Sequence, residues 1–91
     1  MSLFDEFLLE YDAEYRIVED LTTPCGHVVL IVKTPDEIFN SYFVPKSRAH
    51  FTMINNDFYH AHISFTDEWF EQFIVNCFKD SINEKRIERR K

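Results

Sequence analysis

The chain has 91 residues, of which 45% are hydrophobic, 16% aromatic and 29% charged, and its formal net charge is −6. This length allows one domain over residues 1–91, and the composition excludes a disordered or low-complexity chain. Two cysteines are too few for a disulfide scaffold, and no apolar segment approaches the roughly 20 residues that span a bilayer. Because Asp5 and Glu6 also interrupt the only candidate for a signal peptide, we expect a cytoplasmic protein with reduced thiols.

The first 33 residues predict a helix and a β-hairpin. Apolar residues recur with helical spacing from Leu3 to Tyr11, and Ser2 is suited to cap such a helix. Residues 14–21 are rich in β-forming side chains, and residues 27–33 are apolar on both faces, which is typical of a central strand. The intervening turn-forming residues predict that 14–33 is a hairpin.

The segment Thr34-Pro35-Asp36-Glu37 predicts the start of a second helix. Thr34 can cap it, Pro35 suits the first helical position, and Glu37 completes a capping box. A short apolar stripe follows, so we predict a helix over 35–43 that ends before Pro45, with a strand over 38–44 as the alternative.

A second hairpin and a long helix complete the predicted fold. Residues 49–54 and 58–65 read as strands joined by a turn at 55–57. Thr66 can cap a last helix that runs to about residue 84, followed by a basic tail over 84–91. The predicted order is α-β-β-α-β-β-α, an α+β domain with helices packed on one face of a four-stranded antiparallel sheet.

Three histidines of the second hairpin are predicted to share one polar sheet face. In the simplest register, with 55–57 as the loop, His50 faces His62 and Thr52 faces His60. Three imidazoles with an open position are a zinc-site pattern, to which Cys25 or His27 could add a ligand. The simpler interpretation is a polar face that is exposed to water and binds no cofactor. A third interpretation is that this face is a contact surface for a partner.

Two further features suggest a binding surface. The first twenty residues hold seven acids against one base, and the acidic surplus continues through Asp12, Glu14, Glu19 and Asp20. Such a region would suit a basic surface on a larger protein, whereas it disfavours direct binding to nucleic acid. Trp69 lies just off the apolar stripe of the last helix, where partial burial in the core is the favoured interpretation and an interface anchor is the other.

The sequence lacks the common catalytic signatures: a glycine-rich phosphate loop, a Gly-x-Ser-x-Gly elbow, a His-Glu-x-x-His helix and paired Cys-x-x-Cys motifs. We therefore predict a non-enzymatic interaction protein of the inhibitor, immunity or adaptor type. Small acidic domains from phages and mobile elements often have this composition, and the partner would be a larger protein or a nucleic-acid-processing complex. The alternative is a small metal-binding protein that uses His50, His60 and His62, and a homodimer is compatible with both.

Overall fold

A computed structural model describes residues 2–19, 26–54 and 57–90 of the chain. In chain order the elements are α1 (Leu3–Tyr11), β1 (Glu14–Glu19), β2 (His27–Lys33), β3 (Phe39–Pro45), a 3₁₀ turn (Lys46–Arg48), β4 (Ala49–Ile54), β5 (Asp57–Phe65) and α2 (Glu68–Arg89). The fold is therefore α+β, as predicted, but the described residues contain two α-helices instead of three and five strands instead of four. Neither helix within these residues has the length and apolarity that a membrane span requires.

The strands form two antiparallel sheets, so the prediction of one four-stranded sheet is wrong. One sheet has the order β1-β2-β3, and the other contains β4 and β5. In the first sheet Ile17 pairs with Leu30, and Leu30 pairs with Tyr42. β5 packs against β1 without joining its ladder. A hydrogen bond between the Tyr15 hydroxyl and the Ile63 backbone links the two sheets, while burial raises the pKa of Tyr15.

The predicted helix over 35–43 is wrong, and the alternative strand is close to what the structure contains. The Ile38 N–H donates to Thr34 Oγ1 at 3.1 Å, and the Thr34 N–H donates to the Ile38 carbonyl at 3.0 Å. These bonds close a tight turn in which Glu37 adopts a left-handed φ of 63°. The turn directs the chain back along β2, where every residue of β3 finds a partner. Pairing along β2 therefore overrides the local capping signal.

One hydrophobic core lies between the two helices and the sheets. On β2 the alternate residues Val28, Leu30 and Val32 are buried, whereas the intervening Val29 and Ile31 are only half-buried. The remaining core is rich in aromatic and branched side chains, including Phe4, Phe7, Ile17, Ile38, Val44, Ile74, Val75, Phe78 and Ile82. The helices therefore cover one face of the β1-β2-β3 sheet.

Aromatic rings hold α1 and β3 against α2. The ring of Phe7 stacks on Phe78 with 5.9 Å between centroids, and Tyr42 meets Phe78 edge-on at 4.8 Å. The Tyr42 hydroxyl donates to the Cys77 carbonyl at 3.2 Å and shares a 2.6 Å hydrogen bond with the Ser81 hydroxyl. Such aromatic pairs add to the stabilisation that burial of their surface provides.

The ends of α2 differ from the predicted ends. Asp67 is the N-cap, and its carboxylate accepts the Phe70 N–H at 2.7 Å, which lowers the pKa of Asp67. The hydroxyl of Thr66, the predicted cap, instead donates to the Arg48 carbonyl at 3.1 Å. The helix continues past residue 84 and ends at Arg89.

Candidate functional site

The histidines of the second hairpin do not pair as predicted. In the structure His50 lies opposite Ser64 and His62 lies opposite Thr52, a shift of two residues from the expected register. The strand pairing is irregular between Thr52 and Ile54, which accommodates the shift. Because the shift is by two residues, each side chain stays on the sheet face predicted for it. His50 and His62 are both exposed.

The zinc site remains a prediction. His50 and His62 are now diagonal neighbours instead of directly opposed residues, which places their Cβ atoms further apart. The side chain of His60 and all of Cys25 lie outside the described residues. Among the residues that are described, no group of three or more His, Cys, Asp or Glu side chains could hold a metal ion.

Of the four acids predicted as a contact surface, Asp12 and Glu14 have described side chains. Asp12 is exposed and ends α1 in a left-handed conformation with a φ of 51°. Glu14 is exposed at the start of β1, opposite Lys33, on the sheet face that points away from the helices. The side chain of Glu19 and the whole of Asp20 lie outside the described residues. Asp12 therefore lies at the end of α1 and Glu14 at the start of β1, and a contact surface formed by all four acids stays a prediction.

Trp69 is 71% exposed, so the prediction that it lies partly in the core is wrong. Its ring stacks on Phe73 with 5.8 Å between centroids and an interplanar angle of 8°. Phe73, one turn further along α2, is itself 49% exposed. The core-facing side of α2 is formed instead by Ile74, Val75, Phe78 and Ile82, together with Glu71. The two stacked rings form an aromatic pair on the outer side of α2.

Acidic side chains share this outer side of the helices. We call the surface formed by the aromatic pair, the exposed Leu9 and five of the exposed acids of α1 and α2 the acidic helical face. Its acids are Glu6, Glu10, Glu68, Asp80 and Glu84. Lys79 is the base that accompanies them, and its ammonium group pairs with Glu10 at 3.2 Å. The acidic helical face therefore combines exposed aromatic rings with a clear excess of negative charge.

A buried carboxylate that the sequence analysis did not single out aligns the two helices. Glu71 is only 8% exposed, and its Oε2 atom accepts the N–H of Phe4 at 2.9 Å. This N–H is one of the groups that the first turn of α1 cannot satisfy within its own helix. An acid in the first turn of a helix is ordinarily explained by its favourable interaction with the dipole of that helix. The neighbouring residues in the sequence therefore do not indicate that Glu71 binds α1.

Three basic residues near the C-terminus, Lys85, Arg86 and Arg89, form hydrogen bonds within the molecule. Arg86 holds the Asp36 carboxylate through two hydrogen bonds of 3.0 and 3.1 Å, which keeps the pKa of Asp36 far below its usual range. Lys85 Nζ donates to the Phe39 carbonyl at 2.8 Å and to Asn40 Oδ1 at 2.9 Å. Arg89 donates to the carbonyls of residues 36 and 37. The predicted basic tail is therefore helical up to Arg89, and it is anchored to the turn before β3 and to the first residues of β3.

The other exposed apolar surface is the sheet face that points away from the helices. We call it the open sheet face, and its apolar members are Val18, Val29, Ile31, Phe39 and Phe43. The side chains of Phe39 and Phe43 are 55% and 63% exposed. Glu14, Arg16 and Lys33 lie on the same face by strand alternation.

Comparison of the chain with protein-family models, curated proteins and solved structures finds no match.

Proposed function

We propose that the protein is a non-enzymatic binding module of the inhibitor, immunity or adaptor type, which binds a larger protein that carries a basic surface. The acidic helical face is the binding site in this proposal. The observation that carries it is the exposed stack of Trp69 on Phe73, set among acidic side chains. Exposed apolar clusters of this kind mark interaction sites more often than single exposed apolar residues do.

The aromatic pair has the properties of an interface anchor. Tryptophan is enriched among the residues that dominate binding energy, because a large rigid ring buries much surface at a small entropic cost. The near-parallel stack on Phe73 restricts the orientations that the Trp69 ring can adopt before binding. A pre-oriented ring loses less conformational freedom when a partner covers it, which favours affinity.

The charge of the surrounding residues indicates the kind of partner. Glu68 directly precedes Trp69, and Asp80 and Glu84 continue along the exposed side of α2. Negative charge of this kind accelerates encounter with a positively charged surface and disfavours acidic partners. Of the bases further along α2, Arg86 is paired with the carboxylate of Asp36.

The proposal is tested by affinity capture from the native host with the tagged protein, followed by identification of any partner present at a stoichiometric level. We expect the double variant Trp69→Ser, Phe73→Ser to lose that partner. The matched control is Phe39→Ser, Phe43→Ser, which removes two exposed rings from the open sheet face and should retain it. Retention by the helical variant, or equal loss by both, would contradict the assignment of the site.

A charge-reversal variant tests the contribution of the acids separately. With the captured partner purified, Glu68→Lys, Asp80→Lys, Glu84→Lys should slow association by roughly tenfold or more at low salt. The difference from the unmodified protein should shrink as salt is raised, because exposed charges are screened. An unchanged association rate at low salt would show that the partner does not approach this face.

A further inference from the structure

We infer that the open sheet face packs against the same face of a second copy of the chain, giving a two-fold symmetric dimer. An apolar row crosses this face, because Val18 pairs with Val29 and Val29 pairs with Phe43. Ile31 on β2 and Phe39 on β3 continue the apolar surface beside the row. No helix among the described elements covers these side chains, since α1 and α2 both lie on the other side of the sheet.

The distribution of charge selects a second copy as the occupant. In a two-fold dimer each patch meets itself, so a patch with a strong excess of one sign would repel its copy. The open sheet face carries Glu14 together with Arg16 and Lys33, which is close to electrical balance. The acidic helical face carries five acids and one lysine and cannot meet itself in this way. Although the chain has a net charge of −6, the open sheet face is therefore suited to self-association.

The shape of the face is also self-complementary. A depression of about 350 Å³ lies beside Arg16, Ile31, Lys33 and Phe39. Phe43 projects from the same face, four residues further along β3, a separation of about 13 Å at the usual rise of a strand. A two-fold axis between the ring and the depression brings the Phe43 ring of each copy to the depression of the other.

The size of the face sets the expected strength of the dimer. β2 and β3 are seven residues long. At about 3.3 Å per residue and about 4.8 Å between strands, three strands present a flat footprint of roughly 300 Å². Stable interfaces bury about 800 Å² per partner, so even with projecting rings this interface is small. We therefore expect a weak dimer with a dissociation constant of roughly 10–100 µM.

Sedimentation equilibrium over roughly 5–500 µM protein tests the proposal directly. The unmodified chain should shift from monomer to dimer across this range, and Phe43→Asp should remain monomeric throughout. Trp69→Ser, which removes a ring of similar exposure from the helices, should dimerise like the unmodified chain. An unmodified chain that stays monomeric, or a Trp69→Ser variant that loses the dimer, would overturn the proposal.

A charge-swap experiment identifies the face without relying on a destabilising substitution. Glu14→Lys makes the face basic, and Arg16→Glu, Lys33→Glu makes it acidic, so each variant alone should dimerise roughly tenfold more weakly. An equimolar mixture of the two should recover association as a heterodimer, which differential isotope labelling and native mass spectrometry can distinguish from homodimers. Matching circular dichroism melts would show that the variants fold. Unweakened homodimers, or a mixture that does not recover, would exclude this face. The result does not depend on partner binding by the acidic helical face.

Discussion

Replacing Glu71 with alanine removes the acceptor that α2 supplies to the first turn of α1. The Phe4 N–H, which donates to Glu71 Oε2 at 2.9 Å in a buried position, would then have no partner there. A hydrogen bond to a charged group contributes about 1.5–3 kcal/mol, and the positive end of the α1 dipole adds to the attraction. The cost of burying the carboxylate offsets part of this, so we expect Glu71→Ala to destabilise the fold by about 2 kcal/mol.

The expected change is large enough to measure by thermal or urea denaturation followed by circular dichroism. In a domain of this size about 2 kcal/mol lowers the melting temperature by about 8–16 °C. Glu71→Gln keeps an oxygen acceptor but loses the charge, so it should cost less, about 1 kcal/mol. Glu84→Ala makes the same chemical change on the exposed side of α2 and should stay within about 0.5 kcal/mol of the unmodified protein.

Two results would refute this account of Glu71. The first is a Glu71→Ala variant as stable as the Glu84→Ala control. The second is a Glu71→Gln variant as unstable as Glu71→Ala, because the retained oxygen would then have no value. Amide hydrogen exchange adds a local readout, since loss of the bond should speed exchange at Phe4 more than at buried amides of β2.

Three further predictions follow from contacts in the core and at the C-terminal anchor. Phe78→Ala removes the ring that contacts Phe4, Phe7 and Tyr42, and it should lower the free energy of unfolding by about 3–5 kcal/mol in a urea titration. Tyr42→Phe and Ser81→Ala should each lower the free energy of unfolding by about 1 kcal/mol, because each removes the 2.6 Å hydrogen bond between the two hydroxyls. A double-mutant cycle with an interaction energy near zero would argue against this hydrogen bond. The pKa of Asp36 is lower in the folded than in the unfolded chain, so its stabilising effect is present above the ordinary value of 3.8 and is lost as the pH falls below it. Asp36→Asn should make the free energy of unfolding less dependent on pH in this range. High salt should reduce the contribution of Asp36, because its pair with Arg86 is partly exposed. An Asp36→Asn variant that loses stability at low pH as steeply as the unmodified protein would contradict this prediction.

The parts of the fold that the sequence predicted well have one unambiguous pattern. The predicted strand over 27–33 matches β2 at both ends, because a short apolar run rich in β-branched residues and preceded by a turn has no helical competitor. The predicted helix at the N-terminus matches α1 with Ser2 as its cap. In both elements the local preference and the tertiary environment agree, so local reasoning suffices.

The parts that were predicted wrongly depend on contacts distant in sequence. Thr34 to Glu37 satisfy a capping box, yet the same residues form a turn because β2 offers β3 a complete partner. The register of the β4-β5 hairpin differs from the predicted one by two residues. The alternation of apolar and polar residues determines which face each side chain occupies, and this allows any register that differs by an even number of residues. For the candidate site, the sequence placed Trp69 off the apolar stripe but could not place α1 beside α2, and that packing decides which side of α2 is buried.

The opposite placement of the two proposed surfaces has a consequence for how partners would bind. The helices lie on one side of the β1-β2-β3 sheet, and the open sheet face lies on the other. A dimer joined through the open sheet faces would therefore direct its two acidic helical faces away from each other. Two such faces cannot reach one small basic site, so each copy would bind its own partner molecule, and a partner with repeated or paired sites would gain avidity from the dimer. At concentrations above the dissociation constant of the dimer, we expect light scattering to show a complex with two copies of each protein. With the Phe43→Asp variant, the complex should contain one copy of each. One partner molecule per dimer would instead require a site that spans both copies.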